Sequence, residues 1–191
     1  MNPVSLCPSA RYAQGVAEAA WQGDPAQQPA LRAFDRMFEA LGADQPLSLW
    51  QRLRGEKPAT PQGLYLWGSV GRGKTFLMDL FFESLPIEEK SRVHFHRFMQ
   101  GIHAELRALS GHSDPLREVA RRIAAKTRVL CLDEFFVLDI GDAMILGNLF
   151  KALFADGVML VTTSNTAPAN LYRDGLQRER FLPAIALIEK H

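Results

Sequence analysis

The sequence predicts an α/β fold in which helices cover both faces of a parallel sheet, a doubly wound arrangement. The first observation is that short apolar runs alternate with helical patterns from residue 63 onward, as expected of consecutive βαβ units. The second is a glycine-rich segment between the first of these runs and a helical pattern. The third is an apolar strand that ends in two adjacent acids. Both segments lie at carboxyl ends of strands, where ligands bind in such sheets.

Apolar runs and helical periodicity set the limits of the predicted elements. The predicted strands cover residues 63–67, 91–96, 128–132 and 158–164. The predicted helices cover residues 9–21, 28–41, 76–85, 98–109, 115–126, 142–155 and 168–174. Asp114 before Pro115 suits a helix N-cap, and Gly157 suits the position just after a helix. Asp139 and Asp142 fit an N-cap with an acid at N3 better than a metal site.

Length and composition indicate one globular domain. The chain has 191 residues, which is enough for a sizeable core. We expect residues 1–60 to form a helical extension that packs on a core of residues 61–191. Hydrophobic residues make up 47% of the chain and charged residues 23%, as in globular proteins. The net charge of +1 provides no general attraction to nucleic acid or to an acidic membrane.

Cysteine content and hydropathy predict a cytoplasmic protein. The two cysteines, Cys7 and Cys131, provide no disulfide framework, which fits a reducing compartment. No apolar run approaches the length that spans a bilayer. Residues 1–10 lack the basic and apolar regions of a secretory signal.

The glycine-rich segment is a complete G-x-x-x-x-G-K-[ST] phosphate-binding loop. Its residues are Gly68, Ser69, Val70, Gly71, Arg72, Gly73, Lys74 and Thr75. The glycines allow backbone N–H groups to wrap around a polyphosphate, and the following helix adds its positive N-terminus. Lys74 places a charge at the β- and γ-phosphates, and the Thr75 hydroxyl can ligate Mg²⁺. The segment predicts binding of a nucleoside triphosphate with Mg²⁺.

The apolar strand 128–132 is followed by Asp133 and Glu134. Carboxylates are costly beside a core unless a cation needs them. Next to a phosphate-binding loop, the first acid typically holds Mg²⁺ and the second orients and deprotonates the attacking water. We assign Asp133 to the metal and Glu134 to the general base. The alternative is a strand that ends at a solvated acidic turn.

Three further polar positions are candidates for the same chemistry. Asn165 follows the next strand and is placed to bind the attacking water or the γ-phosphate; the alternative is a loop and helix cap. Arg178 and Arg180 are candidates for an arginine that a neighbouring subunit supplies to the γ-phosphate. A solvated helix with an internal Arg/Glu pair explains them equally well.

Two other segments carry alternatives. His94 and His96, two apart on a predicted strand, would face one side, but no Cys or acid lies at ligand spacing, so zinc is rejected. His96 or Arg97 could restrain Glu134 until a partner binds, or the segment is structural. A basic stretch indicates a solvated helix face, with weak nucleic-acid contact as the alternative. That stretch comprises Arg117, Arg121, Arg122, Lys126 and Arg128. No Asn-Lys-x-Asp segment is present, which disfavours a GTPase.

Four signatures together resemble the ZapE-type cell division ATPases, bacterial relatives of the mitochondrial lactation-elevated AAA+ proteins. They are residues 63–75, 94–99, 132–137 and 175–185. The resemblance runs from about Arg11 to the last residue. It implies an AAA+ fold with sheet order 5-1-4-3-2 and ATP as the nucleotide. It implies that Lys74 and Thr75 belong to Walker A and that Asp133 and Glu134 belong to Walker B. It also implies that Asn165 is sensor 1 and that Arg178 or Arg180 is the trans-acting finger.

The same resemblance implies partners and a location. It implies action on FtsZ polymers at the septum, homo-oligomers, a cytoplasmic site, and peripheral membrane association through the division machinery. Family members continue through a fifth strand and a helical lid, whereas this sequence ends at His191. We therefore expect a fragment whose first core strand is a sheet edge and which retains ATP binding; its coupled hydrolysis and assembly are left open. A helicase-loader-like protein acting on nucleic acid and a nucleotide-binding fragment without turnover remain alternatives.

Overall fold

The computed structural model describes residues 6–42 and 62–191, which contain a four-stranded parallel sheet of order β1-β4-β3-β2. The strands are β1 (Leu64–Trp67), β2 (Lys90–His94), β3 (Val129–Asp133) and β4 (Met159–Ser164). The helices are α1 (Pro8–Ala17), α2 (Gln28–Gly42), α3 (Lys74–Ser84), α4 (Phe95–Ala108), α5 (Pro115–Ala124), α6 (Ile140–Ala155) and α7 (Leu182–Lys190). Short 3₁₀ turns cover Pro25–Gln27, Pro168–Asn170 and Arg178–Arg180. The α/β fold class is confirmed, and the strand order is the one predicted for these four strands.

The register of the strands brings their carboxyl ends to one edge. Trp67 lies opposite Ser164, and His94 lies opposite Asp133. The Gly68 N–H extends the β1–β4 ladder by donating to the Ser164 carbonyl at 3.2 Å. The segments that follow the four strands therefore meet at this edge.

β3, one of the two inner strands, is buried along its whole length and separates two hydrophobic clusters. Val129 and Cys131 face the cluster under α1, α2 and α3. Leu130 and Leu132 face the larger cluster under α4 to α7. Burial raises the pKa of the Cys131 thiol to about 12, so this side chain stays neutral and acts as part of the core.

The N-terminal helices share a core with the sheet. Tyr12 of α1 and Phe34 of α2 are buried in the same cluster as Phe81 of α3. The Phe34 and Phe81 rings stack with centroids 4.5 Å apart. The expected boundary near residue 60 falls outside the described residues.

The helix N-caps occur where the sequence predicts them. Asp114 accepts a hydrogen bond from the Arg117 N–H, and Asp139 accepts from the Gly141 and Asp142 N–H groups. Asp142 occupies N3, and its carboxylate lies 2.7 Å from His103 Nε2 of α4. None of the described helices combines the length and apolar character that crossing a bilayer requires.

One predicted strand is too long. β2 ends at His94, and α4 begins at Phe95. The Phe95 side chain is buried against the Phe135 ring, with centroids 4.5 Å apart, so packing beyond the strand end decides this boundary. His94 and His96 therefore do not share a strand face, and His96 lies on the helix beside Gln100.

The C-terminal part contains two further differences. The predicted helix 168–174 is wrong, because only Pro168–Asn170 forms a 3₁₀ turn. Tyr172 then adopts a left-handed φ of 54°. Its ring packs so closely on Gly175 that a Cβ added to Gly175 would lie 2.2 Å from the ring. Helix α7 was missed, although it carries a proline at its start and buried apolar residues at helical spacing.

Replacing Phe34 by alanine tests whether α2 unfolds together with the sheet. The ring is fully buried, so we expect the free energy of unfolding to fall by about 3–5 kcal/mol. Chemical denaturation followed by circular dichroism should show one transition at lower denaturant. Glu39→Ala, at an exposed position of the same helix, should change it by less than about 0.5 kcal/mol. Two separate transitions, or an unchanged midpoint in Phe34→Ala, would contradict this prediction.

Candidate functional site

The phosphate-binding loop joins β1 to α3 and depends on left-handed glycines. Gly71 and Gly73 have φ values of 83° and 74°, which favour glycine. Gly73 is the N-cap of α3, so the free N–H groups of the first helical turn face the loop. The side chain of Gln27, in the N-terminal 3₁₀ turn, donates to the Arg72 carbonyl at 3.3 Å. The N-terminal part of the chain thus contacts the loop directly.

Lys74 and Asn165 are 91 residues apart in sequence and meet at the loop. The Lys74 ammonium donates to the carbonyls of Gly68 and Ser69 at 2.7 and 2.9 Å. It also donates to Asn165 Oδ1 at 3.0 Å. A cleft of about 260 Å³ opens here. Its lining comprises Val70, Gly71, Arg72, Gly73, Lys74, Thr75, Phe76, Glu134, Thr163, Ser164 and Asn165.

The Asp133 carboxylate lies below this cleft and is almost fully buried, at 1% exposure. Its Oδ1 accepts hydrogen bonds from Thr75 Oγ1 and the Glu134 N–H, both at 3.1 Å, and from Thr163 Oγ1. Its Oδ2 accepts from Arg92 Nη2 at 3.1 Å. A hydroxyl and a carboxylate oxygen thus lie together beside the phosphate-binding loop. This donor set fits Mg²⁺, which takes few protein oxygens besides substrate phosphates.

Glu134 differs from Asp133 in exposure and in backbone conformation. Its side chain is 72% exposed and lines the cleft. Its φ of 54° is strained for a residue with a Cβ. Hydrogen bonds from its N–H to Asp133 Oδ1 and Thr163 Oγ1 hold this conformation. The carboxylate is therefore presented to the cleft from a fixed backbone.

The side chain nearest to the Glu134 carboxylate from β2 is His94, not His96 or Arg97. His94 Nδ1 lies 3.8 Å from Glu134 Oε2. The earlier end of β2 explains the difference, because it places His94 opposite Asp133 at the edge of the sheet. His96 and Arg97, for which the sequence suggested a restraint on Glu134, lie in α4 instead.

The end of β4 connects the two loops of the site. Thr163 binds Asp133, and Ser164 Oγ donates to the Phe135 carbonyl at 2.6 Å. Tyr65 donates its hydroxyl to the Thr166 carbonyl at 2.9 Å, and burial raises the pKa of this phenol to about 12. Sequence analysis missed Thr163 as a site residue. A polar strand end beside β3 is the signal that could have identified it.

Arg178 and Arg180 lie outside the cleft of this chain. Arg178 donates through Nη2 to the Ala169 carbonyl at 2.7 Å, and its buried Nε has no hydrogen-bond partner among residues 6–42 and 62–191. Arg180 is exposed on the same 3₁₀ turn. The structure therefore brings the other predicted site residues together but not these two arginines.

The basic stretch on and after α5 is largely neutralised within the chain. Arg117 forms a two-point ion pair with Asp156. Arg121 and Arg122 both bind Glu118, and Arg122 also binds Glu105 at 3.0 Å. The hydrogen bonds from Arg121 and Arg122 lower the pKa of Glu118 to about 2. These arginines therefore lie on a solvated helix face and form ion pairs with carboxylates of the same chain.

A family profile and individual known proteins both match most of this sequence. The sequence profile of the AFG1-like ATPase family matches residues 6–191. Cell division protein ZapE of Escherichia coli (strain K12) is 49% identical over 199 residues, which cover 98% of this chain and 53% of that protein. Lactation elevated protein 1 homolog B of Danio rerio is 43% identical over 152 residues, covering 74% and 30%. The chain thus spans about half the length, or less, of these relatives.

Solved structures show the same fold at low sequence identity. AMPPCP-bound DnaA from Aquifex aeolicus has a TM-score of 0.61 at 18% identity, covering 89% of this chain and 46% of DnaA. A crystal structure of DnaI has a TM-score of 0.58 at 19% identity, covering 89% of this chain and 82% of that chain. These similarities show that the fold of this chain is shared with those proteins.

Gly73→Ala should weaken nucleotide binding. A φ of 74° costs a non-glycine residue about 1–2 kcal/mol, and the new Cβ would lie 2.5 Å from Gln27 Nε2. We expect the affinity for a fluorescent ATP analogue to fall about ten-fold. Gly101→Ala in α4, where a Cβ meets nothing within 4 Å, is the control and should bind normally. Equal affinities in the two variants would contradict the requirement for glycine.

Proposed function

The chain belongs to the AFG1-like ATPase family, and we propose that it binds ATP with Mg²⁺ and hydrolyses it to ADP and phosphate. One observation carries the proposal. Side chains from three separate segments meet in and directly below one cleft, namely those of Lys74, Thr75, Asp133, Glu134 and Asn165. Their chemistry matches what phosphoryl transfer to water requires.

Each of these residues has a separate proposed role in the reaction. The loop N–H groups and Lys74 bind the phosphates, and Thr75 with Asp133 would hold Mg²⁺. When bound, this ion neutralises charge on the phosphate oxygens. Glu134, exposed in the cleft, orients a water and accepts its proton. Asn165 binds the γ-phosphate or the same water.

An arginine from a second copy of the chain would complete this site. Arg178 and Arg180 are outside the cleft of their own chain, and Arg180 is exposed. We therefore propose one of them as the finger that acts on a neighbouring subunit in a homo-oligomer, where it would stabilise charge in the transition state.

We further propose a role in cell division, with FtsZ polymers as the protein that the ATPase remodels. Support comes from the 49% identity to the cell division protein ZapE. The proposed place of action is the cytoplasmic side of the septum, with peripheral attachment through the division machinery. Co-pelleting of FtsZ polymers with a Glu134→Gln variant and ATP tests this role; no ATP-dependent co-pelleting would contradict it.

Action on nucleic acid is the second candidate. DnaI and DnaA resemble this chain in fold alone. Against this candidate, Arg117, Arg121 and Arg122 are engaged by carboxylates of the same chain. Salt-sensitive DNA binding that is lost when Arg121 and Arg122 are neutralised would favour it.

ATP hydrolysis by this chain should rise faster than linearly with protein concentration, because the finger comes from a neighbour. Lys74→Ala should lose nucleotide binding. Glu134→Gln should bind ATP normally but lose at least about 100-fold in kcat. Phosphate release and analogue binding measure the two effects. Tight binding without turnover at every concentration would show that this chain is a nucleotide-binding fragment.

His94→Ala should raise the basal ATPase rate. The imidazole lies 3.8 Å from Glu134 Oε2, where it can hold the carboxylate away from the water. We expect kcat to rise about three-fold, equivalent to about 0.6 kcal/mol, with unchanged ATP affinity. His112→Ala, whose ring contacts the Leu109 carbonyl instead, is the control. A slower His94→Ala enzyme would mean that this histidine supports Glu134 in the reaction.

A further inference from the structure

We infer that Arg92 is a positioning residue for Mg²⁺ binding, acting through Asp133. The inference rests on the proposed Mg²⁺–nucleotide site. Arg92 projects from β2 and contacts two carboxylates on two other elements. Its Nη2 lies 3.1 Å from Asp133 Oδ2 at the end of β3. Its Nε forms an ion pair with Asp79 Oδ1 of α3.

The two Asp133 oxygens consequently have different partners. Oδ1 accepts from Thr75 Oγ1, Thr163 Oγ1 and the Glu134 N–H. Oδ2 is bound by Arg92. Because the carboxylate is 1% exposed, water cannot replace a lost partner at low cost. The guanidinium therefore fixes the rotation of the carboxylate, and with it the oxygen that faces Thr75.

Helix α3 contributes a residue near each of the two Asp133 oxygens. Thr75 and Asp79 are four residues apart and so lie on the same face of the helix. Thr75 reaches Asp133 directly, and Asp79 reaches it through Arg92. The helix that begins at the phosphate-binding loop is thus tied to the carboxylate at both oxygens. This links the position of the metal carboxylate to that of the loop.

The shape of the guanidinium matters as well as its charge. Arginine presents several donors in a rigid plane, so one side chain can bind two carboxylates at once. A lysine would retain the charge but offer a single point of contact. We therefore expect Arg92→Lys to restore only part of the function.

Positioning and simple repulsion make opposite predictions. As a cation near a metal site, Arg92 would weaken Mg²⁺ binding by repulsion, so its removal would make binding tighter. As a positioning residue it orients a ligand, so its removal would make binding weaker. The direction of the change in Mg²⁺ requirement therefore decides between the two roles.

The test is a Mg²⁺ titration of fluorescent ATP-analogue binding by the full chain. For Arg92→Met, which keeps the apolar stem, we expect the half-saturating Mg²⁺ concentration to rise about ten-fold. Analogue affinity in EDTA should stay within about two-fold, since no loop contact is lost. Arg92→Lys should fall between the two proteins. Asp79→Asn, which retains Arg92 but weakens its second ion pair, should give a smaller shift in the same direction.

Lys90→Met is the matched control on the same strand. Lys90 Nζ donates to the Phe82 and Leu85 carbonyls at 2.6 and 2.8 Å, so it also ties β2 to α3, but at the far end of the helix. Its loss should lower the melting temperature and leave the Mg²⁺ requirement unchanged. An Arg92→Met protein that behaves in the same way, or that needs less Mg²⁺, would overturn the inference alone. Absence of Mg²⁺-dependent binding in the unaltered chain would overturn the proposed function and this inference with it.

Discussion

The buried carboxylate of Asp133 is the constraint around which the site is built. It lies at the end of the inner strand β3, and Asp133 is 1% exposed, so a charge without partners there would cost several kcal/mol. Donors from α3, β4, β2 and the following residue meet this requirement. Each donor is also a structural tie, because it fixes the end of its own element relative to β3. The hydrogen bonds that this one side chain requires thus fix α3, β4 and β2 relative to β3 at the carboxyl edge.

The glycine-rich loop is held in a complementary way, from the N-terminal part of the chain. Phe76, directly after the loop, packs against Trp21 and Tyr12, with ring centroids 5.1 and 6.3 Å apart. The Tyr12 hydroxyl accepts from the Asp24 N–H at 2.8 Å, and this turn places Gln27 on the Arg72 carbonyl. A loop of left-handed glycines gains little rigidity from its own side chains. Contacts from outside the motif therefore supply part of its rigidity.

The sequence predicts those parts of the site that are local. The phosphate-binding loop and the Asp133–Glu134 pair are contiguous, so spacing alone identifies them. Thr163 and Arg92 act across strand pairs, and their proximity to Asp133 depends on the order β4-β3-β2. Patterns of hydrophobicity do not encode that order. The strand position predicted for His96 was wrong for a related reason, since the end of β2 is decided by the packing of Phe95 on Phe135. The same limit applies to Tyr172, whose left-handed turn depends on a contact with Gly175.

Two adjacent acids receive different roles because the backbone turns between them. Asp133 still belongs to the strand and points into a shell of donors, whereas Glu134, at a φ of 54°, points into the open cleft. Regular strand geometry would send the second side chain to the opposite face of the sheet, away from the loop. The strained conformation is held by hydrogen bonds that the Glu134 N–H donates to Asp133 Oδ1 and Thr163 Oγ1. The Asp133 carboxylate that would ligate Mg²⁺ therefore also fixes the backbone of Glu134, the proposed base. A substitution that displaces Asp133 is expected to displace Glu134, and with it the attacking water, as well.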